Sequence, residues 1–310
     1  RYDVVVVGAG ASGMMAAITA AKQGASVLLL EHMECAGKKI LSTGNGKCNY
    51  TNEKQGLSYY RGENPAFVLP VFSQFGVKET LAFFEKLGVY PKEKNGYYYP
   101  ASEQASSVLK VLLMELRRLS VEIRYEIGIR SIQKEKSGFC FETKSGFFYG
   151  TSCILATGGF AAKKTGSDGS GFLYAKKLGH HLSNPVPALV QLVARDFNCK
   201  DWAGIRIEAN LKLYVEDRIL CEDTGEIQLT DYGISGIPTF QVSRFAAKAL
   251  QKGEKVKAMI DFLPKKTEKE VFLLLKQRFY DYGSGKNINE ALIGLFPEKL
   301  ITVFCKKCNA

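Results

Sequence analysis

The chain has 310 residues, 46% of them hydrophobic and 24% charged, and a formal net charge of +11. That composition is globular and without low-complexity blocks, and its apolar runs are strand-sized, which excludes a membrane-spanning class. The length exceeds a typical single domain, so two domains, or one with a large insertion, are expected.

The positive charge admits three readings: an anionic cofactor or substrate, nucleic acid, or a solvated lysine-rich surface. The basic residues are spread out, as single residues and pairs such as Lys163-Lys164, Lys176-Lys177, Lys265-Lys266 and Lys306-Lys307. No arginine stripe with interleaved aromatics stands out, so the solvated surface is the default and nucleic acid is disfavoured. No cationic segment with an apolar signal core opens the chain, and a cytoplasmic location is expected.

Val4-Val5-Val6-Val7 is a fully apolar run of the kind that buries as a parallel strand. Gly8-Ala9-Gly10-Ala11-Ser12-Gly13 follows, then a helix over 14–23, then a strand from Ser26 to Leu30 ending at Glu31. Strand, glycine turn, helix and strand-end acid together are a dinucleotide-binding unit. Gly8 permits the sharp turn, Gly10 lets a pyrophosphate approach the backbone, and Gly13 lets the helix pack on the sheet. The helix start offers unpaired N–H groups and positive dipole to phosphate, including those of Ala11 and Ser12. Glu31 would accept from ribose hydroxyls and repel a 2′-phosphate, which argues against NADP at this site.

Residues 32–60 read as a long loop, too polar and glycine-rich for a core element; such loops are functional or disordered. Gly44 and Gly46 permit close approach, Lys38, Lys39 and Lys47 suit anionic oxygens, and Asn45, Asn49 and Asn52 both donate and accept. Residues 66–87 read as helix, with Phe67, Val71, Phe75, Leu81, Phe84 and Leu87 on apolar faces. Asn95-Gly96 before Tyr97-Tyr98-Tyr99-Pro100 signals a hairpin. The tyrosines read as a half-buried strand first and as a wall for a planar ligand second. Ser102 is the expected N-cap of a helix to Arg118.

A strand at 121–126 and a meander at 128–135, 139–143 and 147–155 come next, turned at Ser137-Gly138 and Ser145-Gly146. Its last strand ends in Ala156-Thr157-Gly158-Gly159, small residues that fit a second contact with the same dinucleotide. A helix is expected at 172–179. Beyond Pro185-Val186-Pro187, β-like runs at 211–215, 227–230 and 257–262 surround a helix near 239–251, and from Leu263-Pro264 the pattern is helical. The eight cysteines are dispersed, and Cys305-Lys306-Lys307-Cys308 has no second pair of matching spacing; with three histidines in the chain, no metal site is expected.

The glycine turn, the run Gly37-Lys38-Lys39…Thr43-Gly44-Asn45-Gly46-Lys47-Cys48-Asn49…Thr51-Asn52 and Ala156-Thr157-Gly158-Gly159 resemble the HI0933-like, BaiN-like (aminoacetone-oxidase-like) flavoprotein family. The loop is its most specific element. Tyr99-Pro100-x-Ser102, Thr165-Gly166-Ser167, Thr230-Asp231-Tyr232-Gly233-Ile234-Ser235-Gly236-Ile237-Pro238 and Asp261-Phe262-Leu263-Pro264 extend the resemblance over essentially the whole chain.

The resemblance implies an α/β fold: an FAD-binding Rossmann-type parallel sheet with a β-meander, interrupted by a β-barrel-like insert and a small helical subdomain. It implies a cofactor domain over 1–186, the insert over 187–262 and the helical part over 263–310, with the family's closing segment lying beyond this chain. FAD would be held by Gly8, Gly10, Ala11, Ser12, Gly13, Glu31 and His32, and by Gly37, Lys38, Lys39, Thr43, Gly44, Asn45, Gly46, Cys48 and Asn49. Ala156, Thr157 and Gly158 would complete the site, with Ile129 along the adenine.

The expected function is an FAD-dependent oxidoreductase that moves hydride through the flavin to or from a small organic substrate, with NAD(P)H as a transient co-substrate. No catalytic side chain is assigned; Tyr98, Asn49 and Cys48 are candidates by location only. The alternatives are a flavin-binding protein that acts on RNA or a macromolecular partner, and an FAD binder without turnover.

Overall fold

The computed structural model describes residues 1–280 and 285–308, which fold as two compact units, Arg1–Leu182 and Ser183–Ala310. In the first unit β1 (Tyr2–Val7), α1 (Ala11–Lys22) and β2 (Val27–Leu30) form the expected strand–turn–helix–strand. After them come α2 (Lys38–Ser42), β3 (Thr51–Asn52), α3 (Leu69–Phe72) and α4 (Val77–Lys86). The hairpin of β4 (Pro91–Lys94) and β5 (Tyr97–Pro100) precedes α5 (Ala105–Arg118) and β6 (Glu122–Arg124). β7 (Ile129–Glu135), β8 (Gly138–Thr143), β9 (Gly146–Leu155) and α6 (Ser170–Lys177) complete it.

The main sheet has the order β6-β2-β1-β9-β8-β7. Its first four strands are parallel, and β9, β8 and β7 pair antiparallel as the meander. The valine run is buried on both faces for a simple reason of pleat. Val6 joins Leu29, Met14, Ile18, Leu112 and Leu116 on the α1 and α5 side, while Val5 and Val7 join Leu28, Leu30 and Phe141 on the other. At β1 the order reverses, since β2 lies to one side and β9 to the other. Such a switch point opens a crevice beyond the strand ends.

Three expectations for this unit change. The segment 32–60 is not all surface: Ile40 and Cys48 are buried in the α1–α5 core. Residues 66–87 are not one helix. The chain breaks between α3 and α4 at Ser73–Gly76, where the Glu79 carboxylate accepts from the Gly76 N–H at 2.9 Å and starts α4 afresh. Phe67 and Val71 consequently remain exposed while Phe84 is buried. Ser102 does not cap α5; the cap position is Gln104, and the Ser102 hydroxyl pairs with that of Ser107 at 2.8 Å. The hairpin at Asn95-Gly96 is as expected, with both residues at positive φ (54° and 85°).

The second unit contains β10 (Leu192–Val193), β11 (Arg206–Val215), β12 (Arg218–Leu229), β13 (Gly233–Gly236), α7 (Ile237–Gln251) and β14 (Val256–Asp261). α8 (Glu268–Tyr280), α9 (Ile288–Leu292) and α10 (Glu298–Cys308) follow. The strands form one antiparallel sheet, β10-β13-β12-β11-β14. Ala209, Leu211, Leu213, Ile227 and Leu229 pack with Val242 and Ala246 of α7 and Leu300 of α10. Trp202, the single tryptophan of the chain, packs on Phe197 and donates its indole N–H to the Thr230 carbonyl at 3.2 Å.

β12 is far longer than the 227–230 run. The part before that run, Arg218–Glu226, is mostly polar and enters from a turn of Glu216 and Asp217, both at positive φ without any glycine. No single helix among the described residues is long and apolar enough to cross a membrane.

Candidate functional site

A cavity of about 350 Å³ opens beyond the carboxyl ends of β1, β2 and β9. Its floor is the glycine turn. A Cβ on Gly13 would stand 1.8 Å from the Gly8 carbonyl oxygen, so only glycine lets α1 start this close to the strand end. Gly10 is different: a Cβ there meets nothing within 4 Å, and the space it faces belongs to the cavity. No side chain caps α1. Its first N–H groups, those of Ala11 and Ser12 among them, have no intrahelical acceptor and sit in the cavity wall.

Glu31 ends β2 in the wall, 8% exposed. Its two oxygens accept from the backbone N–H groups of Ala9 (2.7 Å) and Met33 (2.9 Å), which pins it to the turn. Each carboxylate oxygen accepts more than one hydrogen bond, so the anchored acid retains capacity for hydroxyl groups. His32 Nε2 lies 3.9 Å from one Glu31 oxygen. From the following segment Gly37, Lys38, Lys39 and Thr43 join the wall. α2 is docked through the Gly37 N–H, which donates to the Ala9 carbonyl at 2.9 Å, and through buried Ile40.

The opposite wall is Ala156, Thr157 and Gly158 at the end of β9, with Ile129 of β7. Among the expected residues, Gly13, Gly44, Asn45, Gly46, Cys48 and Asn49 do not line the cavity. Gly13 lies behind the turn it permits, and Gly44, Asn45 and Gly46 form an exposed left-handed turn. Cys48 is buried, and burial pushes its thiol up, away from the thiolate that redox chemistry needs. Asn49 gives its amide N–H to the carbonyls of Thr51 (3.0 Å) and Tyr98 (3.1 Å), clamping the loop to β5.

The wall also holds residues that were not assigned to it: Cys35, Ile127, Thr165, Gly166, Ser167, Ser170 and Tyr174. The glycine-rich stretch Thr165–Gly171 was the signal for four of them. The Tyr174 hydroxyl donates to the Ile129 carbonyl at 2.7 Å and is raised by burial. Burial pushes the Asp168 carboxyl up, but the Ser170 N–H at 2.9 Å, the Ser170 hydroxyl and nearby His32 outweigh it and hold the acid below its ordinary value. An uncapped helix start, an open Gly10 and an anchored strand-end acid in one cavity fit the diphosphate and ribose of a dinucleotide.

Residues 2–274 match the HI0933-like protein Rossmann domain family. The chain is 45% identical over 298 residues to 3-dehydro-bile acid delta(4,6)-reductase of Clostridium scindens, covering 96% of this chain and 73% of that one. It is 25% identical over 306 residues to ribosomal RNA dihydrouridine synthase of Escherichia coli, covering 97% of this chain and 72% of the relative. The Haemophilus influenzae enzyme of that name is 25% identical over 309 residues, covering 98% and 74%. A family match over most of the chain, a relative at this identity and the Rossmann-type cavity lead to one conclusion: the chain belongs to the HI0933-like flavoprotein family.

Proposed function

We propose that this FAD-dependent oxidoreductase reduces a carbon–carbon double bond conjugated to a carbonyl in a small, steroid-like ketone. The supporting observation is the 45% identity to a bile acid reductase over 96% of the chain. FAD, when bound, supplies the hydride chemistry. The protein's own part is to hold the nucleotide and keep water from the reacting atoms. The α1 N–H groups meet the diphosphate, Glu31 meets the adenosine ribose, Ile129 flanks the adenine, and the β9 end closes the far side. The Gly44–Gly46 turn, with Asn49 as its clamp, lies along the chain next to this wall and is assigned to the flavin half of the cofactor. The resemblance makes 1–186 the cofactor domain, followed by a β-rich module over 187–262 and a helical one over 263–310.

A second reading has its own support. The rRNA dihydrouridine synthases are 25% identical, and a net charge of +11 suits an RNA partner. The two readings share a chemistry, because a uridine reduced to dihydrouridine also gains two hydrogens across a double bond conjugated to a carbonyl. One experiment separates them. The FAD-loaded full chain, reduced anaerobically, is offered an unsaturated 3-oxo bile acid and an rRNA transcript, and products are read by mass spectrometry. Two hydrogens added to the steroid with unchanged RNA support the first reading; the reverse replaces it with the second. Anaerobic titration with NADH and with NADPH, read as loss of the flavin's visible absorption, identifies the reductant, for which we propose a nicotinamide visiting transiently.

A further inference from the structure

Three lysines lie in the Gly37–Asn49 segment, and their surroundings differ. The Lys38 ammonium is 2.7 Å from a Glu34 carboxylate oxygen, and the Lys47 ammonium is 3.0 Å from that of Glu103. Both charges are neutralised within the protein. Lys39 Nζ instead donates to two neutral acceptors, the Ala161 carbonyl (2.8 Å) and the Ser167 hydroxyl (2.5 Å). Among the described residues no carboxylate forms an ion pair with it.

An ammonium has three N–H donors, so one remains after these two bonds. The group is held at the cavity wall, since Ser167 is 5% exposed and a Cβ on Gly158 would lie 3.9 Å from Lys39 Nζ. Lys39, Ser167 and Gly158 come from three separate segments and all line the cavity. A half-buried cation without a counter-ion is costly, and two neutral acceptors fix its position without cancelling its charge. A dianionic group entering the cavity would cancel it.

We propose that Lys39 is the cation that receives the diphosphate of the bound dinucleotide, and that Lys47 of the same segment has no such role. This rests on the FAD reading above. Ala161 and Ser167 act as positioning groups that aim the ammonium before the ligand arrives. The cofactor's charge is then met by a lysine from α2 in addition to the helix start that the glycine turn supplies.

The test is a calorimetric titration of the flavin-free full chain with two probes, ADP and adenosine, which differ by the diphosphate. Lys39→Met should weaken ADP binding by about 10- to 100-fold, the range for a charge-assisted hydrogen bond, and leave adenosine within about twofold. Lys39→Gln, which keeps a polar group for the Ala161 carbonyl, should show the same split and a flatter salt dependence of ADP binding; it serves if the methionine variant folds poorly. Lys47→Met, at a residue that does not line the cavity, should leave ADP within about twofold of the parent.

Equal losses for ADP and adenosine in Lys39→Gln would show a structural role and overturn the proposal. So would an unchanged ADP affinity in Lys39→Gln, or a loss in Lys47→Met as large as that in Lys39→Met. If the parent chain binds neither ADP nor FAD, the cofactor reading itself fails, an outcome distinct from a parent that binds both while the Lys39 variants do not differ from it.

Discussion

A methyl group on Gly13 would meet the Gly8 carbonyl oxygen at 1.8 Å, while one on Gly10 would meet nothing within 4 Å. Two glycines of one turn therefore answer to different forces. Gly13→Ala should destabilise the fold by about 1–3 kcal/mol, as an overpacked contact does, read from the urea midpoint. Gly10 has φ −78° and ψ −173°, which any residue adopts. Gly10→Val should thus leave the urea midpoint unchanged and weaken FAD binding at least tenfold, read by quenching of flavin fluorescence; intact affinity would remove the turn from the cofactor site.

Glu115 poses a different question at the same scale. Its side chain is 8% exposed, between Arg118 at 2.7 Å and Lys22 at 3.1 Å. The hydrogen bond from Arg118, reinforced by Lys22 against the effect of burial, lowers its carboxyl to about 2. The folded value lies below the unfolded one. The stability this acid contributes is therefore complete above the ordinary carboxylate range and is lost as pH falls from about 5 through about 2. Glu115→Gln should lower stability at neutral pH and flatten that part of the acid limb, measured as urea midpoint against pH.

Among the elements, α2 depends most on its surroundings. Five residues are too few to hold a helix alone, so α2 exists because Ile40 is buried in the α1–α5 core and Gly37 is tied to Ala9. Ile40→Ala should cost about 2–5 kcal/mol by loss of buried methyl groups. It should also weaken FAD binding, because Lys39 is carried on the same turn. Polar composition hid this helix: one buried isoleucine among lysines and glycines makes no period, so the segment reads as loop until its tertiary contacts are known.

The β1–α1–β2 unit is the opposite case. Its valine run, glycine spacing and terminal acid each demand the same local geometry, and it was legible in full. The Thr165–Gly171 wall was visible as a glycine-rich stretch, but its membership of the site depends on β9 and α6 returning beside β1, a long-range pairing without a local signal. The polar part of β12 escaped for a related reason, since a Glu-Asp turn at positive φ lacks the glycine that normally marks such a hairpin.

For the whole molecule, ligand binding and folding are linked through the cavity. FAD that binds only the folded chain should add about 2.7 kcal/mol of stability at a free concentration a hundredfold above its Kd. The expected outcome is a rise in the urea midpoint with FAD and none with riboflavin, which lacks the adenosine and diphosphate that the β1–α1–β2 unit recognises. Equal shifts with both would move the binding energy away from that unit. The order of the elements and the α/β character followed from the chain's apolar periods. The change of character at Pro185-Val186-Pro187 lies within a few residues of the point where Arg1–Leu182 gives way to Ser183–Ala310.

The single tryptophan, Trp202, lies in the second unit, and the nucleotide cavity lies in the first. The holoprotein consequently has two optical reporters with separate addresses. Indole emission follows the antiparallel sheet through the Trp202–Thr230 contact, and flavin emission follows release of the cofactor. One unlabelled sample, excited at two wavelengths during a denaturant titration, thus carries one reporter in each unit.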